Sequence, residues 1–109
     1  MNKQSNRSKI LKLLYRESSR RRIAGVKKSL NSFDEEIIDY LILLLQIDEN
    51  KKVREAVIKT FSDLVITVDS LEQKIQTALD SAKNNEPDNS LQTLAEQALE
   101  KRKKEEKNR

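Results

Sequence analysis

The chain contains neither cysteine nor histidine. Without thiols there is no disulfide framework, no thiolate zinc site and nothing that points to an oxidising compartment. Without imidazole the usual general base near neutral pH is missing, and so is the commonest metal ligand. The serines have no histidine to form a triad, so the expectation is a protein that is not an enzyme and carries no cofactor. One glycine in 109 residues excludes a Gly-rich phosphate cradle. Together with the single proline it also disfavours an all-β chain, whose hairpins need turn glycines. Tryptophan is absent and aromatics make up only 4%. No secretory hydrophobic region opens the chain, and the longest apolar run, Tyr40 to Leu45, is far too short to cross a bilayer. These absences predict a soluble intracellular protein, cytoplasmic or nuclear, with no membrane role.

What is present is charge, at 37% of residues, and it is unevenly placed. Residues 1–28 hold ten Lys or Arg against the single Glu17, a balance of +9. Residues 29–90 hold six basic and thirteen acidic side chains, a balance of −7, and residues 91–109 return +2. The molecule is therefore expected to be electrically polar from end to end.

Apolar periodicity places helices along the whole chain. In residues 5–16, Ile10, Leu11, Leu13 and Leu14 share one broad face, with Lys9, Lys12 and Arg16 opposite. A second helix over about 19–31, capped by Ser18 or Ser19, repeats Ile23, Val26 and Leu30. A third starts where Ser32 and Glu35 have capping-box spacing, and from Ile37 to Ile47 it is apolar nearly all round. A fourth carries Val53, Ala56, Val57, Phe61, Leu64 and Val68 on one face, so the β-branched stretch "LVITV" is predicted as its end. A fifth follows a cap at Asp69 or Ser70, "NNEPDNS" is a loop, and a sixth stacks Leu91, Leu94, Ala95, Ala98 and Leu99. Beyond Glu100 nothing apolar remains, so residues 101–109 are expected to be a solvated helical extension or a frayed tail. The organisation is then one helical domain over 1–100, with pairs at 5–31, 34–68 and 70–100.

Shifting the chain on itself by 31 residues lays Ile10, Leu11, Leu13 and Leu14 on Leu41, Ile42, Leu44 and Leu45, and Val26 and Leu30 on Val57 and Phe61. Gly25 falls on Ala56, so a small residue is expected there to let two helices approach closely. Periods of this length signal stacked helical pairs. The stretch "EEIIDYLILLLQIDENKKVREAVIKTFSDL", Glu35 to Leu64, resembles a HEAT or armadillo-type repeat: an apolar helix, Asp48 in the turn, then Val53, Arg54 and Ala56 in a Val-Arg-x-Ala opening. The first pair has Arg22, Ile23 and Gly25 at those positions, and the last pair has a longer turn. The resemblance implies an all-α fold, a short right-handed stack of about three antiparallel helix pairs used as a binding scaffold without catalysis. A small irregular helical bundle is the alternative architecture.

Two clusters invite chemistry. Asp34, Glu35, Glu36 and Asp39 could in principle hold a hard cation, but acids in a first helical turn are ordinary partners of the helix dipole. Lys9, Lys12, Arg16, Arg20, Arg21, Arg22, Lys27 and Lys28 would lie on the outer faces of two adjacent helices, a positive surface for phosphates. Arginine can fork onto a phosphate with two hydrogen bonds. Tyr15 is the only aromatic among them, so backbone contact is favoured over base readout. An anionic membrane suits the charges less well, because the apolar face of the first helix is needed for the core. The run Lys101 to Lys104 resembles a nuclear-localisation cluster, although Glu100 and Lys104 also pair as a charged helix. The expected partners are nucleic acid, DNA or RNA, held by its backbone without sequence preference, and a larger protein. The rival expectation is a pure protein adaptor that uses the apolar third and fourth helices.

Overall fold

In a computed structural model that describes residues 3–108, the chain folds as six helices. They are α1 (Lys3–Leu14), α2 (Ser19–Ser29), α3 (Glu35–Ile47), α4 (Lys51–Asp63), α5 (Asp69–Asn85) and α6 (Asn89–Lys107). Short turns fold them into pairs α1–α2, α3–α4 and α5–α6, and the pairs stack. The second helices α2, α4 and α6 lie side by side, as do α3 and α5, giving a two-layered slab of 34 × 32 × 16 Å. The fold is all-α, and no strand occurs among the described residues. No described helix is long and apolar enough to cross a membrane.

The inward faces follow the sequence periodicity. Ile10 and Leu14 of α1, Val26 of α2, Ile37, Ile38, Leu41, Leu44 and Leu45 of α3 and Val53, Val57 and Phe61 of α4 are all buried. They continue into Ile75, Leu79, Leu91, Ala95 and Leu99, forming one core through the three pairs. Gly25 sits where α2 crosses α1. A Cβ there would stand 2.9 Å from the Leu13 Cβ and 3.1 Å from the Leu14 backbone nitrogen, so the helices would have to part. Replacing Gly25 by alanine would gain about 1 kcal/mol of helix propensity and lose about 1–3 kcal/mol to overpacking. Because the clash is with a backbone nitrogen and a Cβ, the upper part of that loss applies, and we expect a net destabilisation of about 1–2 kcal/mol in urea unfolding. An unchanged or raised midpoint would contradict the close approach.

Several expected boundaries move. The "LVITV" stretch is not helical: α4 ends at Asp63, and Leu64 turns to an extended backbone, φ −62 and ψ 133. Residues 64–68 run on to Val68, the N-cap of α5. Four β-branched residues in a row lose rotamer freedom in a helix and favour this extended passage. Ser32 does not cap α3; Asp34 does, accepting from the Ile37 N–H at 2.9 Å. Burial pushes the Asp34 pKa up, but that N–H and Arg7 outweigh it and hold the carboxyl below its ordinary 3.8. Since the folded state favours the ionised form, its contribution to stability is full above about pH 4 and is lost as pH falls further. Thermal midpoints are expected to drop on acidification, and less steeply in Asp34→Asn.

Of the two expectations for the chain beyond Glu100, the helical extension holds: α6 continues to Lys107 with most of its last side chains exposed, but Arg102 is buried. Its guanidinium donates to Glu72 Oε2 at 2.8 Å and Oε1 at 2.5 Å, and from Nη1 to the Phe61 and Leu64 carbonyls, each at 2.7 Å. It thus satisfies carbonyl groups that the end of α4 leaves without intrahelical partners. The expected boundary at residue 100 therefore cuts through an integral helix.

Candidate nucleic-acid interface

The eight basic residues singled out from sequence all lie on α1, α2 and their turn, but they do two different things. Arg22 turns inward. Its Nε and Nη2 donate to Asp48 at 2.7 and 3.1 Å, and its Nη1 donates to the Arg16 and Glu17 carbonyls at 2.9 and 2.6 Å. The side chains of Arg22 and Asp48 are only 17% and 3% exposed. The hydrogen bond to Asp48 raises the Arg22 pKa above its already high ordinary value, against the opposing effect of burial. Arg54 repeats the arrangement one pair later: Nε donates to Glu86 at 3.0 Å, and Nη1 donates to the Asp48 carbonyl at 2.7 Å. Each arginine thus ties its own turn to the acidic turn residue of the next pair. Sequence reasoning put Arg22 among the phosphate contacts and missed this role. The available signal was a shift of 32, which superposes Arg22 on Arg54, although their acidic partners lie 26 and 32 residues downstream.

The other seven point outward. Lys9, Lys12, Arg16, Arg20, Arg21, Lys27 and Lys28 are all exposed. Lys9 of α1 and Lys28 of α2 meet across one cleft of about 210 Å³, lined also by Asn6, Ile10, Asn31 and Ser32. Lys27 sits at the opposite margin of α2, where a shallow groove joins it to Lys59 of α4. Arg22 fixes the α1–α2 turn through two carbonyls, which keeps Arg16 beside the start of α2 and hence near Arg20 and Arg21. The exposed cations are thus spread over both helices, with Lys9 and Lys28 sharing one cleft and Lys27 lying toward α4.

Two electrostatic features mark these helices. Among the described residues, Lys12, Arg16, Arg20, Arg21, Lys27 and Lys28 have no carboxylate within 4.0 Å, as is also true of the exposed Lys52, Lys103, Lys104 and Lys107 elsewhere, whereas Arg7, Arg22, Arg54 and Arg102 are all ion-paired. In addition, α2 begins with three arginines and no acid, although a helix N-terminus is already positive. Its cap residue, Ser18, makes no side-chain bond to the first turn. Positive charge on a positive helix end costs stability until an anion relieves it.

The acidic cluster is occupied by cations of the same chain. Arg7 binds Asp34 and Glu36, and Lys74 of α5 binds Glu35 at 3.2 Å and Asp39 at 3.0 Å. In the basic run near the end, Lys101 meets Asp63 at 2.9 Å and Arg102 is interior. No family model, no curated protein and no solved structure matches the chain.

Proposed function

We propose that the protein is a non-catalytic nucleic-acid-binding accessory subunit. It holds the phosphate backbone of DNA or RNA on α1 and α2 without reading base sequence, and it tethers a larger processing enzyme, such as that of a replication complex. The observation that carries this reading is the row of six exposed cations without carboxylate partners, in a molecule whose remaining described arginines are all paired. Like charges on neighbouring helices repel, and a polyanion removes that repulsion while releasing its own counterions. Duplex, hairpin or single strand would all supply the phosphates.

The rival reading, a pure protein adaptor, finds little support in α4, because Val53, Ala56, Val57, Ile58 and Phe61 are all buried. The test is direct binding to a labelled mixed-sequence oligonucleotide. Affinity is expected to fall by about 10²–10³ between about 50 and 200 mM salt if all six cations meet phosphates. Failure to saturate even at low salt would reject the proposal and leave the adaptor.

A further inference from the structure

Three of the large apolar side chains that stand exposed are Tyr15 at 60%, directly after α1, and Leu43 at 41% and Ile47 at 65% on α3. Tyr15 closes α1, and its ring meets Tyr40 of α3 in an edge-on contact, centroids 4.6 Å apart and planes at 69°. That contact holds the ring in one orientation while most of its surface stays open. Tyr40, Leu43 and Ile47 follow one another at intervals of three and four residues, so they line one face of α3. Together they make an apolar floor that starts at Tyr15 and runs along α3.

The rim of this floor is charged on the α1 side. Lys12 lies one turn before Tyr15 and Arg16 directly after it, and both belong to the cations without a carboxylate partner. On the α3 side, Glu36 is held by Arg7. The exposed Glu17 and Glu49, in the turns that follow α1 and α3, bound the floor at that end. An apolar surface with cations along its α1 edge fits a ligand with flat apolar faces and regularly spaced anions. Unpaired nucleotides have both, whereas a duplex keeps its bases stacked inside. We infer that Tyr15 is a stacking platform for an unpaired base, with Lys12 and Arg16 on the flanking phosphates, so that the protein prefers single strands. The inference rests on the phosphate-binding reading and extends that face by continuity.

The experiment compares a labelled oligothymidylate of about 12 nucleotides with a duplex of equal length, against the parent, Tyr15→Ala, Tyr15→Phe and Ile47→Asn. Tyr15→Ala is expected to weaken the single strand about five- to a hundredfold while moving the duplex less than about twofold. Tyr15→Phe keeps the ring and should bind like the parent. Ile47→Asn probes the floor without touching the Tyr15–Tyr40 contact, and it should weaken the single strand selectively even if Tyr15→Ala proves unstable. Equal losses on both probes, or none, overturn the stacking role. Loss of self-association with unchanged oligonucleotide affinity overturns it too, and assigns the floor to a protein partner. A parent that binds neither probe refutes the phosphate-binding proposal itself, an outcome distinct from these.

Discussion

Replacing Arg102 by alanine is expected to destabilise the protein by about 3–5 kcal/mol, the usual cost of removing one partner from a buried ion pair. Both side chains of the Arg102–Glu72 pair are 3% exposed, so Glu72 would be left charged, buried and without its guanidinium. The Phe61 and Leu64 carbonyls lose their shared donor at the same time. In a domain whose whole stability is of the order of 5–15 kcal/mol, such a loss removes a large fraction of it and lowers the denaturation midpoint markedly. A chain ending at Glu100 should do no better, because it also loses the ion pair of Lys101 with Asp63. A chain ending at Glu105 keeps both and should lose only about 1 kcal/mol, since it forfeits the Gln76–Glu106 bond and little else. The double variant Arg102→Leu/Glu72→Leu should recover part of the loss, as apolar replacement of a buried pair often does, though the two carbonyls stay unpaired. Chemical denaturation of these four variants and the full chain checks the order. Equal stability of the chain ending at Glu100 and the full chain would show that Arg102 anchors nothing.

Charge reversal of Arg20, Arg21 and Lys28 to glutamate is expected to weaken nucleic-acid binding at least about a hundredfold, at roughly 1 kcal/mol or more for each phosphate that is no longer held. These three side chains are exposed and, among the described residues, have no carboxylate partner, so the fold should tolerate the change. The first turn of α2 should even gain stability, since acids suit a helix N-terminus. Arg22 is excluded from the set on purpose. Arg22→Gln should lower stability by loosening Asp48 and the α1–α2 turn, and leave binding nearly intact in the molecules that remain folded. A circular-dichroism melt alongside the binding curve separates the two effects. Binding that survives the triple reversal would move the interface elsewhere.

The helical class, the six segments and most of the core were legible in the sequence because each helix buries its apolar residues with a period near 3.6. Gly25 was legible for a related reason, since a lone glycine inside a helix costs propensity and needs a packing cause. What escaped was long-range pairing. Nothing local to Arg102 distinguishes it from its neighbours Lys101 and Lys103; only the fold brings Glu72 and the end of α4 within its reach. Arg22 and Arg21 look alike in sequence, yet one lies over Asp48 and the other in solvent, a difference of about 100° around the helix axis. The extended passage at 64–68 was misjudged because its apolar spacing fits a helix while its β-branching does not. Of the candidate site, the basic face was visible in the charge count, but the floor formed by Tyr15, Tyr40, Leu43 and Ile47 was not. Tyr15 and Tyr40 are brought together only by the packing of α1 near α3.

The measurement that bears most directly on the central claim is the salt dependence of oligothymidylate binding, taken for the parent and for Arg20→Gln/Arg21→Gln/Lys28→Gln side by side. If the six cations each release a counterion, the slope of log K against log salt should be about −4 for the parent and about −2 for the variant. The thermal midpoints should differ little, since removing Arg20 and Arg21 from the positive end of α2 helps and removing Lys28 from its last turn costs. A parent slope near zero, or the same slope in both proteins, would contradict the assignment of α1 and α2 as a phosphate-holding face.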